Sequence, residues 1–151
     1  MLQVGDYFPE FSLENQDGEV ITNETIKGQK AILYFYPRDN TPGCTTEACD
    51  FRDHLGYFNN LNITVYGING DSKQKHKNFI NKNDLNFDLL VDEDFKLSEA
   101  TGVYQLKKSF GKEHMGIVRT TFVVDEDGKI IHVIPNVKVK TQMEDLKSML
   151  G

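Results

Sequence analysis

Residues 31 to 50 read AILYFYPRDNTPGCTTEACD and carry the strongest structural signal in the chain. Ala31 to Tyr36 is a continuous apolar run rich in β-forming residues, which is typical of a central strand buried on both faces. A proline ends the run, and Pro42 to about Asn60 follows as a predicted helix with Thr41 at its N-cap. Ile63 to Ile68 is predicted as the next strand, and this strand–helix–strand order favours parallel strands with a right-handed crossover.

Turn signals and hydrophobic periodicity place the remaining elements. Asp-Gly pairs at residues 17–18 and 127–128 indicate two hairpin turns. The predicted helices are Ser72 to Asn81, Phe95 to Ala100 and Thr141 to Leu150, and the further strands are Phe11 to Leu13, Val20 to Ile21, Leu89 to Val91, Ile117 to Val124 and Lys129 to Ile134. The pattern predicts a single domain over residues 1–151, an α/β fold with a central mixed β-sheet flanked by helices and an N-terminal hairpin.

The composition is that of an ordinary globular protein. Hydrophobic residues make up 38% and charged residues 26% of the 151 residues, so the chain can bury a core without disulfides. The formal net charge of -6 argues against a general nucleic-acid surface. No apolar run approaches the roughly 20 residues that span a bilayer, and the N-terminus lacks the features of a signal peptide. We therefore expect a cytoplasmic protein with no nucleic-acid and no membrane partner.

Both cysteines of the chain, Cys44 and Cys49, lie in the predicted helix. Cys44 stands at the helix start, where partial positive charge and unpaired N–H groups favour the nucleophilic thiolate form. Cys49 follows five residues later, where it can capture the oxidised form of the first sulfur. Because structural disulfides are rare in the cytoplasm, a close cysteine pair indicates catalysis or metal binding, and this layout favours redox catalysis at sulfur.

The pattern Pro37-x-x-x-Thr41-x-x-Cys44 resembles the active-site signature of the peroxiredoxins. With Cys49 added, the chain is similar to the atypical two-cysteine subgroup known as bacterioferritin comigratory proteins or peroxiredoxin Q. The resemblance spans nearly the whole chain without a visible insertion, and it implies a thioredoxin-like three-layer fold. Three further stretches resemble the same subgroup, namely Gly5 to Phe11, Tyr34 to Asp39 and Gly111 to Phe122.

The resemblance also implies an enzyme, a thioredoxin-dependent peroxiredoxin (hydroperoxide reductase) that serves antioxidant defence. Its substrates would be hydrogen peroxide and alkyl or other organic hydroperoxides, and it would need no cofactor and no metal. Cys44 would be the peroxidatic cysteine, which becomes a sulfenic acid, and Cys49 would resolve it as an intramolecular disulfide. Thioredoxin or a similar dithiol protein would regenerate the enzyme. The subgroup is often monomeric, so a monomer is expected.

Three more residues are predicted to serve Cys44. Arg119, placed on the predicted strand from Ile117 to Val124, has a permanent charge and a planar fork that can donate to sulfur and to a peroxide oxygen together. Thr41, three residues before Cys44, can present its hydroxyl to the departing oxygen. Pro37 is predicted to stiffen the loop and to screen the sulfur from water.

The spacing of the two cysteines predicts a conformational change. On an intact helix, five residues separate two Cα atoms by about 8.7 Å, whereas a disulfide usually needs about 7 Å or less. We therefore expect the helix to unwind between Cys44 and Cys49 on oxidation, and to be continuous in the reduced protein.

Other side chains are predicted to have structural roles. Phe51 and Phe58 are expected in the core, with a place in the lining of the peroxide pocket as a further role for Phe51. Glu47 is expected as an exposed acid in the first turn of the helix, and the alternative is that it tunes the site or assists proton transfer. A metal site at the cysteines is disfavoured, because their helical spacing turns Cys44 and Cys49 away from each other and from His54. The four histidines, His54, His76, His114 and His132, are expected at the surface, and Met143, Leu146, Met149 and Leu150 on the buried face of the last helix.

Two other functions stay open at this point. A peroxide-sensing relay protein would use the same thiolate and the same disulfide, but it would pass its oxidation to a partner. A dithiol reductase of the thioredoxin type is disfavoured, because that chemistry uses Cys-x-x-Cys and this chain has four residues between its cysteines. Repeated peroxide turnover with a reductant would separate an enzyme from a relay.

Overall fold

The computed structural model describes all residues from 1 to 151. In chain order the elements are β1 (Ser12–Glu14), β2 (Val20–Thr22), α1 (Asn23–Ile26), β3 (Lys30–Phe35), α2 (Pro42–Asn60), β4 (Ile63–Asn69), α3 (Lys73–Asn83), β5 (Asp88–Val91), α4 (Lys96–Thr101), β6 (Tyr104–Ser109), β7 (Lys112–Ile117), β8 (Thr120–Val124), β9 (Ile130–Ile134) and α5 (Val139–Leu150). Each predicted element is present within a few residues of its predicted bounds, except the strand from Ile117 to Val124. The short helix α1 and the strands β6 and β7 were not predicted.

Five strands form the central sheet in the order β5-β4-β3-β8-β9. β3, β4 and β5 run parallel, whereas β8 and β9 pair antiparallel, so the sheet is mixed as predicted. The parallel pairing of β3 with β4, which α2 connects, confirms the predicted strand–helix–strand unit. β1 and β2 pair antiparallel outside this sheet and confirm the N-terminal hairpin.

Alternate side chains of β3 point to opposite faces of the central sheet. Ile32 and Tyr34 pack against residues of α2, α3 and α5. Ala31 and Leu33 pack against residues of α1, α4 and the N-terminal hairpin. All four side chains are fully buried. The sheet between two packed layers confirms the thioredoxin-like three-layer fold. β3 ends at Phe35, and a short loop leads from it to the start of α2.

The prediction of one strand from Ile117 to Val124 is wrong. β7 ends at Ile117 and β8 begins at Thr120, and two residues outside any strand join them. The second of these is Arg119, whose carbonyl oxygen accepts a hydrogen bond from the N–H of Val137. Arg119 is therefore positioned by a short connection between two strands, not by a strand as predicted.

β6 and β7 form a separate two-stranded arm that the sequence analysis missed. Most of its side chains are exposed, and Phe110 at its turn is fully so. The turn is made by Phe110 and Gly111, which both have positive φ. Because the arm buries little apolar surface and lacks an Asn-Gly or Asp-Gly turn, it shows neither common sequence signal of a hairpin. Its second strand leads directly to Arg119.

The last helix, α5, packs against α2. Met143 and Leu146 are buried and Leu150 is half-buried, as predicted, but Met149 is 41% exposed and the prediction for it is wrong. Phe51, on α2, is fully buried in the same layer, as expected. Phe58 is also fully buried. No helix in the structure combines the length and the apolar character that a bilayer crossing requires.

Candidate active site

A short loop carries the chain from β3 into α2. Asn40 adopts a left-handed backbone conformation with φ 61°, and Thr41 is extended with ψ 153°. Pro42 then begins the helix, where its missing N–H leaves no donor unpaired. The N–H of Thr45 donates to the carbonyl oxygen of Thr41, which closes the first helical turn. The N–H of Cys44 therefore has no acceptor within the helix.

Cys44 is the third residue of α2, and it is only 1% exposed. It packs in the apolar cluster that also contains Tyr34, Tyr36 and Phe51. The N-terminus of the helix carries partial positive charge, and a site without bulk water strengthens charge interactions. The structure thus keeps this sulfur sheltered in a positive electrostatic environment.

Arg119 lies against the first turn of α2. Its side chain is 19% exposed, and its Nη1 donates to Oε1 of Glu47 at 2.6 Å. Its Nη2 is 3.2 Å from the position that a β-carbon on Gly43 would occupy, so the missing side chain leaves room for the guanidinium. Burial acts to lower the pKa of Arg119, but the charges of Glu47 and Cys44 and the hydrogen bond to Glu47 raise it above its usual value. Arg119 is therefore a permanent cation that Glu47 holds next to the residue before Cys44.

Glu47 is fully buried, so the prediction of an exposed acid is wrong. It lies three residues after Cys44 and four before Phe51, and it shares their inward helix face. Its two oxygens accept from Arg119 and from Nε2 of Gln142, the latter at 2.8 Å. Burial raises the pKa of Glu47, while the charge of Arg119 and both hydrogen bonds oppose that rise. The guanidinium of Arg119 and the Nε2 group of Gln142 both point N–H donors at Glu47, and this arrangement suits the ionised carboxylate.

Gln142, on α5, stabilises the ion pair of Glu47 and Arg119 through its hydrogen bond to Glu47. Its side chain is buried, and its Oε1 accepts from the hydroxyl of Thr121 on β8. A continuous chain of hydrogen bonds therefore joins Thr121, Gln142, Glu47 and Arg119. The sequence analysis did not find Gln142, because a polar residue in an amphipathic helix gives no local sign of being buried.

Thr41 and Pro37 lie in the loop before the helix, and both are half-buried. Thr41 occupies the N-cap position, but its side chain does not cap the helix. Its hydroxyl donates instead to the carbonyl oxygen of Arg38 at 3.0 Å. Pro37 directly follows Tyr36, which is the last residue of the buried run from β3.

Cys49 is half-buried on α2, five residues after Cys44. Both cysteines are free thiols, and the helix is continuous from Pro42 to Asn60. This is the geometry expected of the reduced protein, whereas unwinding on oxidation stays a prediction. No group of three or more His, Cys, Asp or Glu side chains comes together in a way that could hold a metal ion.

The prediction that all four histidines lie at the surface is wrong for His76. This residue of α3 is fully buried, and its Nδ1 lies 2.6 Å from Oδ2 of Asp39 in the loop before Cys44. His76 precedes the buried Phe79 by three residues, and this spacing is the one signal that could have placed it on the inward face. The sequence analysis also missed Asp39, which is a polar residue in a loop, where helical spacing gives no information on burial.

The chain is similar to proteins of one family over most of its length. Residues 4–133 match the AhpC/TSA family. Peroxiredoxin Bcp from Bacillus subtilis is 46% identical over 144 residues, which cover 95% of this chain and 92% of that protein. Peroxiredoxin Bcp from Escherichia coli is 43% identical over 137 residues, with 91% and 88% coverage.

Solved structures extend the similarity to the fold. A cysteine mutant of PrxQ from Xylella fastidiosa gives a TM-score of 0.93 at 31% identity, and the match covers 99% of this chain and 96% of that one. The bacterioferritin comigratory protein of Xanthomonas campestris, solved as trapped intermediate and ligand complexes in work on its alkyl peroxide reduction activity, gives 0.88 at 33% identity, with 93% and 89% coverage. Together with the sheltered cysteine beside a permanent cation, these matches show that the chain belongs to the AhpC/TSA family as a peroxiredoxin of the Bcp and peroxiredoxin Q group, a thiol-dependent peroxidase.

Proposed function

We propose that Cys44 of this peroxidase reduces hydrogen peroxide and organic hydroperoxides, and that Cys49 then forms an intramolecular disulfide with it. Thioredoxin or a similar dithiol protein restores both thiols. The observation that carries the proposal is the guanidinium of Arg119, which is bonded to the buried Glu47 and lies against Gly43, the residue before Cys44, at a helix start. The alkyl peroxide reduction activity of the related Xanthomonas campestris protein supports organic peroxides as a substrate class.

The first step is the attack of the Cys44 thiolate on one peroxide oxygen. The S–O bond forms as the O–O bond breaks, sulfur is oxidised to a sulfenic acid, and the other oxygen leaves as an alcohol or water after taking one proton from solvent. Negative charge moves from sulfur to the departing oxygen, so donors aimed there accelerate the step. Arg119 and the hydroxyl of Thr41, turned from the Arg38 carbonyl, serve as those donors in this proposal, and Pro37 excludes water.

The second step joins the two cysteines. The Cys49 thiolate attacks the sulfenic sulfur, the S–S bond forms as the S–O bond breaks, and hydroxide takes a proton and leaves as water. A regular helix holds the two Cα atoms about 8.7 Å apart, so α2 must unwind between them. Glu47 and Ala48 lie between the cysteines and are both buried. Unwinding therefore removes both side chains from the core. This cost favours the intact helix over the unwound one as long as Cys44 is reduced.

The third step is thiol–disulfide exchange with a dithiol protein. Two thiols of the reductant become a disulfide, and Cys44 and Cys49 return to free thiols. All side chains that the cycle uses come from one chain and from one domain over residues 1–151, so a monomer is sufficient. The free thiols and the dithiol reductant both suit a reducing compartment such as the cytoplasm.

Coupled oxidation of NADPH through thioredoxin reductase and thioredoxin tests this cycle with several peroxides. Cys44→Ser is expected to abolish peroxide consumption, because it removes the attacking sulfur. Cys49→Ser is expected to permit the first step and to leave a sulfenic acid at Cys44 that a dimedone-type reagent captures. Peptide mapping of the oxidised wild type should show a disulfide between Cys44 and Cys49.

Two results would contradict the proposal. Wild-type rates in Cys44→Ser would show that another group attacks the peroxide. Consumption of one equivalent of peroxide per chain would rule out thioredoxin as the reductant, and would favour a relay that passes its oxidation to another partner.

A further inference from the structure

A second buried polar cluster joins the loop before Cys44 to α3 and β5. The side chains of Asp39 and His76 are 1% and 0% exposed, and Oδ2 of Asp39 lies 2.6 Å from Nδ1 of His76. Oδ1 of Asp39 accepts from the hydroxyl of Tyr36 at 2.6 Å and from Nδ2 of Asn69 at 3.2 Å. Nε2 of His76 lies 2.9 Å from the carbonyl oxygen of Leu90. The pair of Asp39 and His76 is called the Asp39–His76 clasp below.

The hydrogen-bond partners determine how many protons the clasp holds. A carbonyl oxygen only accepts, so Nε2 of His76 must carry a hydrogen. Nδ1 then faces a carboxylate oxygen at hydrogen-bond distance, and one proton must lie between them because two bare acceptors would repel each other. Burial, followed by the charge of Asp39, raises the pKa of Tyr36 well above its usual value, so its hydroxyl stays a donor to Asp39. Asp39 and His76 therefore share one proton, which lies between Oδ2 and Nδ1.

The clasp holds the middle of the loop between β3 and α2. The main chain of Asp39 is held too, because its N–H donates to Oδ2 of Asp71 at 2.8 Å. Thr41 follows Asp39 by only two residues of backbone. The position of Thr41 relative to the helix start therefore depends on where Asp39 is held.

We propose that Asp39 and His76 are positioning residues for the attack of Cys44 on peroxide. This inference rests on the function proposed above. The clasp is buried and reaches neither sulfur nor substrate, so it acts through the loop that carries Thr41 and begins the helix. His76 on α3 and Leu90 on β5 lie outside the segment of α2 that unwinds. The clasp therefore affects the attack on peroxide and not the step that forms the disulfide. A misplacement of about 1 Å at a reacting centre can slow a reaction about 100-fold.

Stopped-flow oxidation of Cys44 by hydrogen peroxide, in full-length protein with Cys49→Ser, isolates the affected step. The double variant Asp39→Ala, His76→Leu removes the clasp without leaving a buried unpaired charge. It is expected to lower the second-order rate constant by about 10- to 100-fold. In His76→Gln the amide can still donate to Asp39 but cannot also reach Leu90, so an intermediate rate is expected.

The conservative variant Asp39→Asn distinguishes positioning from a need for charge. Its Oδ1 can accept from Tyr36 and Asn69 as before, and its Nδ2 can donate to the neutral Nδ1 of His76. The rate constant should therefore stay within about threefold of the parent. Val124→Ala is the control for stability, because Val124 is buried in the other core cluster and pairs with Ala31, near the start of β3 and at the opposite end of that strand from the loop.

Each result decides between a positioning role and its absence. A parental rate in the double variant or in His76→Gln overturns the inference. So does an Asp39→Asn rate as low as that of the double variant, and so does equal slowing by Val124→Ala at matched thermal stability. If the parent itself is not oxidised at Cys44, the proposed function fails and not the clasp.

Discussion

Two buried acids lie on either side of the start of α2, and their partners differ in kind. Glu47, within the helix, accepts from the guanidinium of Arg119 and from the Nε2 group of Gln142, and these two N–H donors favour its anionic form. Asp39, in the preceding loop, faces the ring of His76, which can share a proton with it. The first acid holds a cation beside the sulfur, and the second holds a segment of backbone.

The difference shows that burial of a carboxylate does not by itself define its role. Desolvation disfavours both charged groups, and a partner must offset it in each case. In the proposed reaction, a permanently charged partner brings its charge close to the sulfur of Cys44, whereas a partner that shares a proton contributes mainly fixed geometry. Substitutions in the two clusters should therefore differ in the size of their effect and in what they alter.

Loss of the cation should have the largest effect. Arg119→Met is expected to slow the oxidation of Cys44 by about 100- to 1000-fold, the magnitude typical of one lost donor to developing charge. Stopped-flow oxidation by hydrogen peroxide measures it, with Arg119→Lys as a matched variant that keeps the charge but loses the planar fork. A parental rate in Arg119→Met would remove this residue from the reaction.

Neutral replacements at the two acids should sharpen the contrast. Glu47→Gln turns an amide N–H group toward either the guanidinium of Arg119 or the Nε2 group of Gln142, which are themselves donors. It should slow Cys44 oxidation by about tenfold, equivalent to one charge-assisted hydrogen bond of about 1.5 kcal/mol. Asp39→Asn should be close to parental, because the ring of His76 can accept from the new amide. Equal rates for the two variants in the same assay would contradict the distinction.

The contribution of α5 should be smaller. Gln142→Leu leaves the hydroxyl of Thr121 and one oxygen of Glu47 without a partner, so the free energy of unfolding should fall by about 1 to 3 kcal/mol. Cys44 oxidation should slow only a few-fold, because Arg119 still holds the other oxygen of Glu47. Urea unfolding and stopped-flow kinetics measure the two effects.

A neighbouring substitution on α5 serves as the control. Met143→Leu conserves a buried apolar volume and should leave the rate unchanged. An unchanged unfolding free energy in Gln142→Leu would show that the amide gives the ion pair no support.

The smallest effect is expected at Tyr34, whose hydroxyl is buried without a hydrogen-bond partner. Tyr34→Phe should leave the free energy of unfolding unchanged or raise it by up to about 1 kcal/mol, because it removes an unsatisfied polar group. Tyr36→Phe is the matched variant and should lose about 1.5 kcal/mol, since that hydroxyl donates to Asp39. Urea unfolding compares them, and a greater loss in Tyr34→Phe would be contrary to this account.

The parts of the fold that could be predicted all have local signals. The apolar run of β3 and the proline at the start of α2 indicated both elements, and α2 has the bounds predicted for it. The arm of β6 and β7 had no such signal, because most of its residues face solvent on both sides. The error at Arg119 has a different origin, since a two-residue break between strands leaves the β-like composition on either side unchanged.

The sequence by itself determined the order of elements, the place of Cys44 at a helix start and the resemblance to the peroxiredoxins, because these depend on spacing and on residue type. Only the tertiary structure decided which polar side chains are buried beside the loop. Glu47 meets Arg119 across 72 residues and Gln142 across 95, and Asp39 meets His76 across 37. No periodicity within a single element encodes such contacts. They exist because the sheet brings separate helices and loops against one loop, where each buried polar group needs a partner.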